Sequence, residues 1–194
     1  MSRLIVVVLV LFAGYQLMFH ESEVSYGPGV IAPKTPSQRS ITDAQVFDHN
    51  GIAIQPLAHF DIEARVLSRK NYSGDEESKL SPVDLALGWG NMSDEKVLNM
   101  MEIKQGNRWY HWRIDEFIIP RKEIIHSSAN MHLVPANPQI AGAIADVVKG
   151  NLVKITGYLI EADSGGRKWR SSLTRSDSGA HACELIYVQD FKIL

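Results

Sequence analysis

Residues 150–161 constrain this chain most. They read Gly-Asn-Leu-Val-Lys-Ile-Thr-Gly-Tyr-Leu-Ile-Glu. Val153, Ile155, Gly157 and Leu159 fall on one face of an extended strand and Lys154, Thr156 and Tyr158 on the other, because successive side chains point to opposite sides. A strand of this kind buries one face and needs partners. A punctuated helix precedes it: Asn137 as N-cap, Pro138 at the first helical position, Ile140, Ile144, Val147 and Val148 at helical spacing, and Gly150 as terminator. Strand-like runs follow at residues 168–174 around Trp169 and at residues 185–193. The C-terminal half is therefore expected to be a sheet domain with residues 150–161 near its centre.

Upstream, Phe60, Ile62, Ala64 and Val66 alternate with Asp61, Glu63, Arg65 and Leu67, which predicts a first long strand over residues 59–70. Asn50-Gly51 marks a tight turn. Residues 71–79 read as a charged loop. Ser81-Pro82-Val83-Asp84 offers an N-cap, a proline and a first-turn acid, so a short helix closed by Gly88 is preferred there over the strand that Val83, Leu85 and Leu87 would also permit. Ser93-Asp94-Glu95 opens another short helix. Residues 102–105 and 108–114, joined at Gly106-Asn107, form a hairpin whose second arm carries Trp109, Tyr110 and Trp112. These aromatics either close the core or make a stacking platform for a sugar or peptide.

The N-terminus sets the compartment. An apolar run over residues 4–19, broken only by Gly14 and Gln16, follows Arg3 and precedes Glu21 and Glu23. No Ala-x-Ala-like site follows it, so residues 1–20 read as an uncleaved transmembrane signal-anchor in the bacterial inner membrane, with the rest of the chain in the periplasm by the positive-inside rule. A buried helix of a cytosolic protein fits less well, because the run lacks a polar face. Residues 21–40, with Gly27-Pro28-Gly29, Pro33 and Pro36, read as a linker that lifts the domain off the membrane. Residues 41–194 are left for a single globular domain.

Composition narrows the function. The 20 basic and 22 acidic residues leave a net charge of -2, which provides no footprint for nucleic acid. Cys183 is the single cysteine, so neither an internal disulfide nor a cysteine zinc cluster can form.

The order of elements, a long strand, a hairpin, a capped helix, a Gly-x-x-Val-x-Ile-x-Gly strand and a closing strand, resembles the OB-fold. The expected class is thus α+β, mainly β: a small OB-like barrel or a curled antiparallel sheet with one well-capped helix. The insertion over residues 71–101 is not typical of that fold. The strings Ser81-Pro82-Val83-Asp84-Leu85-Ala86-Leu87-Gly88-Trp89-Gly90, residues 126–136 and Trp169-Arg170-Ser171-Ser172-Leu173-Thr174-Arg175 are similar to a family of single-anchor bacterial envelope proteins, a resemblance that implies a compartment and no chemistry.

Two groups could carry chemistry. His126, His132, Asp177 and Cys183 could arrange a nucleophile and base, and His126, His132 and His181 could ligate a metal, if the segments holding them met. Alternatively, these side chains satisfy irregular backbone. His181-Ala182-Cys183 resembles the Ser-His-Gly-Cys motif of L,D-transpeptidases, with Ala182 in place of the glycine and His132 as the nearest preceding histidine. The second group, Trp109, Trp112, Trp169, Arg170, Ser171, Ser172 and Arg175, could bind a ligand through aromatic faces, hydroxyls and guanidinium groups; a solvated strand and a capped loop would look the same. No P-loop, Gly-x-Ser-x-Gly or His-Glu-x-x-His is present, and no cofactor is called for. The leading expectation is a non-catalytic binding or scaffold domain for an envelope protein or cell-wall component. An envelope hydrolase or metal-dependent enzyme using the His/Asp/Cys set is the alternative.

Overall fold

A computed structural model describes residues 23–174 and 183–194. The body is mainly β, with one large sheet and few helices. Its longest strand, β3 (Ile52–Asn71), follows the short β1 (Ser37–Ser40) and β2 (Phe47–His49), both of which pair with it. Ile54, Ala58, Phe60, Ile62, Ala64 and Val66 of β3 point inward and are buried, as the alternation predicts. A strand of 20 residues is too long for one neighbour. Its first part pairs antiparallel with β8 (Leu152–Ser164), with a register shift between Pro56 and Ala58 where proline cannot donate to the ladder. Its last part pairs with β4 (Val83–Gly88).

From β4 the pairings continue to β7 (Ser128–Pro135), then in parallel to β10 (Glu184–Ile193), and from β10 antiparallel to β8. Since β8 also pairs with β3, the succession β3-β4-β7-β10-β8 returns to its start. Gly157 serves this arrangement: a Cβ there would run into the Tyr187 carbonyl beside the bulge between Val188 and Asp190. The enclosed core holds Phe60, Leu85, Leu87, Met131, Leu133, Ile155, Leu159 and Ile186, and burying each such side chain contributes about 1.5–3 kcal/mol. A helix, α4 (Pro138–Ala145), adds Ile144 to it. Asn137 caps that helix by accepting from the Ile140 N–H at 3.0 Å.

Three local expectations change. Residues 83–88 form a strand, not a helix: all six are buried between β3 and β7, and two ladders outweigh a local capping signal. The helix lies just before, as α1 (Glu76–Leu80), in the stretch read as a charged loop, where Asp75 and Ser78 make a capping box. Short helices α2 (Glu95–Leu98) and α3 (Arg121–His126) flank a separate hairpin of β5 (Met101–Gly106) and β6 (Trp109–Ile114).

The third concerns residues 23–33, part of the stretch read as a linker, which are strapped to the body. Val24 N–H donates to the Lys149 carbonyl at 2.9 Å, Tyr26 and Gly27 N–H to Glu95, and Ile31 and Ala32 N–H to Ser93 Oγ. Arg65, buried, bridges strap and body by pairing with Glu95 at 2.9 Å and donating to the Val24 carbonyl at 3.3 Å. Hydrogen bonds from Ser25 and Arg65 hold the Glu95 carboxyl down at about 2. Gly150, at φ 91°, sits against the Val24 backbone, where no side chain fits. Among the described residues no helix is long and apolar enough to cross a membrane; the expected anchor over residues 1–20 lies outside them.

Candidate functional site

The pairing of β4 with β7 sets Asp84 opposite His132. Asp84 is fully buried in an otherwise apolar strand, and an isolated carboxylate there would be costly. Its partners come from three places. Arg108 Nη1 donates to Oδ1 at 2.9 Å, Asn130 Nδ2 donates to Oδ2 at 3.3 Å, and His132 Nδ1 stands 2.9 Å from Oδ1. That last approach is close but makes no aligned hydrogen bond.

Arg108 organises the cluster. It follows Asn107 in the β5–β6 turn, and both lie in the left-handed region, at φ 65° and 51°. Asn tolerates that conformation; an arginine adopts it at a cost and persists only where the surroundings fix it. They do so here. Nη1 also donates to the Ser81 carbonyl at 2.9 Å, the guanidinium lies 3.8 Å over the Tyr72 ring, and the backbone N–H donates to the Tyr72 hydroxyl at 3.0 Å. Burial pushes the Tyr72 phenol above its ordinary range. The Arg108 carbonyl accepts from Asn130 Nδ2 at 3.1 Å and from the Cys183 thiol at 3.9 Å. Asp75 stands 3.7 Å from Nη2 and Glu77 3.7 Å from Nε of the guanidinium.

Trp169 of β9 (Arg167–Arg170) covers this cluster, 4.9 Å from the His132 ring and 5.6 Å from the Arg108 guanidinium. A cavity of about 150 Å³ opens beside it, lined by Glu77, Arg108, Trp109, His132, Trp169, Arg170 and Cys183. Glu77, Trp169 and Arg170 also line a larger groove of about 610 Å³ between α1 and the β8–β9 hairpin. The walls are opposite in charge: Glu76 and Glu77 on α1 face Arg167, Lys168 and Arg170. Glu161 holds Lys168 and Arg170 in place at 2.9 and 2.8 Å, and their hydrogen bonds keep its carboxyl below the usual range.

No family model, curated protein or solved structure matches the chain. The site's own residues therefore carry the argument. Of those singled out from sequence, the fold brings Trp109, His132, Trp169, Arg170 and Cys183 together around one cleft. Trp112 is elsewhere, packed against Leu67, Met92 and Ile124 and edge-on to Phe117. His126 ends α3, six residues and most of a strand from His132. Ser171 and Ser172 are buried as staples: Ser171 Oγ accepts from Leu185 N–H at 3.1 Å and Ser172 N–H donates to the Cys183 carbonyl at 3.0 Å. Arg175, Asp177 and His181 lie outside the described residues. Among the described residues, no group of three His, Cys, Asp or Glu side chains could hold a metal ion.

Sequence reasoning grouped Asn130 with His126 and His132 but missed Asp84, Arg108 and Glu77 as members of a site. The signal for Asp84 was an acid set into the apolar run Val83, Leu85, Ala86 and Leu87, which reads as strand and buried charge together. Nothing local marks Arg108, because its role comes from a turn folded onto another strand.

Proposed function

We propose that this chain is a non-catalytic binding domain of the bacterial cell envelope, an OB-type barrel anchored in the inner membrane by residues 1–20 and facing the periplasm. Its ligand, a cell-wall component with sugar and peptide parts, lies in the cleft between α1 and the β8–β9 hairpin. The barrel reading is supported by the returning strand order β3-β4-β7-β10-β8, by the parallel β7–β10 pair and by the helix between β7 and β8. In an OB-type barrel, ligands are taken on the face of the second and third strands, between the loop joining strands one and two and that joining four and five.

The observation that carries the proposal is the coincidence of the cleft with that face. His132 comes from β7, backed by the buried Asp84 of β4, Glu77 from the β3–β4 connection, and Trp169 and Arg170 from the β8–β10 connection. Trp169 and the half-exposed Trp109 offer flat apolar faces for sugar rings, and walls of both signs suit a polymer carrying amines and carboxylates. A net charge of -2 argues against a polyanionic nucleic acid.

The test is co-sedimentation of the full chain with isolated cell walls. Trp169→Ala and Arg170→Glu should each reduce retention, and Trp112→Ala should not. Retention indifferent to both cleft substitutions would remove the assignment.

A second reading, an envelope hydrolase, is favoured by one observation: Cys183 and His132 line the same cavity, with the Asp84 carboxylate behind the imidazole. Its test is the alkylation rate of Cys183 with iodoacetamide. A thiol activated by His132 reacts faster than a simple thiol and slows in His132→Ala; an unreactive thiol excludes this role.

A further inference from the structure

The strap fixes more than residues 23–33. It also fixes where the body stands relative to whatever precedes it. The apolar run over residues 4–19 ends four residues before Glu23, and Glu23 is already paired with Lys149 at 2.8 Å while Val24 N–H donates to the Lys149 carbonyl. Four residues span at most about 14 Å, and the headgroup layer on one side of a bilayer is about 5–7 Å thick. With the run in the hydrocarbon, Glu23 can therefore stand no more than about 7–9 Å beyond the headgroups, with Lys149 paired to it.

The end of the body that meets this entry point brings together the strap, the start of β8 and Leu194. Leu194 N–H donates to the Leu152 carbonyl, and Leu152 pairs with Arg65, which holds the strap. Leu98, Asn99 and Met101 share a small depression with Glu23 and Lys149. Met100, Ile193 and Leu194 are exposed at 47%, 42% and 53%, and Lys149, paired with Glu23, lines the depression next to Met100. Exposed apolar side chains with a long amphipathic lysine near them suit the interface of a bilayer.

We infer that the end face carrying Met100, Lys149, Ile193 and Leu194 rests on the headgroup layer of the membrane in which the chain is anchored, so that the cleft opens away from it. β8 runs from Leu152 at the strapped end to Ser164 on the groove wall, thirteen residues that span up to about 40 Å along the strand. The cleft thus meets its ligand on the far side of the body, out of reach of lipid. This inference rests on the proposed anchor and is separable from it.

The experiment uses the full chain with Cys183→Ser, reconstituted into vesicles containing anionic and zwitterionic lipid. Nitroxide labels are placed at Met100→Cys, Leu194→Cys or Ser164→Cys. Labels at 100 and 194 should collide with a water-soluble nickel chelate several-fold less often than the label at 164, and more often with oxygen dissolved in the bilayer. A chain retained after carbonate washing whose three labels are equally accessible overturns the inference and leaves the anchor standing. Dipolar broadening between labels at 100 on two chains would assign the face to a second copy and also overturn it. A chain released by carbonate removes anchor and inference together.

Discussion

Replacing Asp84 by Asn isolates the electrostatics of the cleft's foundation, because the side chain keeps its shape and loses its charge. Asp84 is fully buried, and Arg108 keeps only 12% of its side-chain surface exposed. Removing one partner of a buried pair typically costs about 3–5 kcal/mol, since the remaining charge stays out of water. Arg108 retains the Ser81 carbonyl at 2.9 Å and the half-exposed carboxylates of Asp75 and Glu77 at 3.7 Å. These offset part of the loss and place the expected cost near the lower end, about 3 kcal/mol. For a domain of this size about 1 kcal/mol moves Tm by roughly 2–4 °C, so the melting point should fall by about 6–12 °C. The assay is thermal and urea unfolding of Asp84→Asn, Arg108→Met and the double variant. The double variant should be less destabilised than the sum of the singles, with a coupling of about 1.5–3 kcal/mol. A Tm drop under about 3 °C, or additivity within about 0.5 kcal/mol, would refute the claim that this pair fastens the β5–β6 turn to β4.

Gly150→Ala should release the strap, because the added Cβ meets the Val24 backbone at a left-handed position; limited proteolysis should then cut within residues 23–33, where the native chain resists. The strap should also respond to acid. The folded pKa of Glu95 is depressed to about 2, so its contribution is complete above the unfolded value near 4.5 and is lost as pH falls through about 2; thermal melts between pH 5 and 2 should steepen in pH dependence relative to Glu95→Gln. Trp112→Ala should cost about 2–3 kcal/mol in urea unfolding, somewhat below the cost for a fully buried tryptophan, whereas the more exposed Trp109→Ala should cost about 1 kcal/mol or less and act on cell-wall retention instead.

Much of the fold was legible because its strands carry their periodicity in order. The alternation from Phe60 to Val66, the Asn137-Pro138 cap and the strand from Val153 to Leu159 all lie where the residues put them. Residues 83–88 were not legible as a strand, since Ser81-Pro82-Val83-Asp84 satisfies a helix start as well, and only the neighbours β3 and β7 decide between them. The cleft was legible in part. Trp169, Arg170, His132 and Cys183 could be named from residue type, but their meeting depends on pairings between segments dozens of residues apart.

The sequence by itself determined the β-rich class, the position of the capped helix and a body that must hold without disulfides, because periodicity, capping and cysteine count are local properties of the chain. Only the tertiary structure decided that β3 serves two neighbours, that residues 23–33 bind the body, and that Arg108 reaches Asp84. Those outcomes turn on burial and on charge compensation between distant residues, and no local pattern encodes which distant partner will fill a buried position.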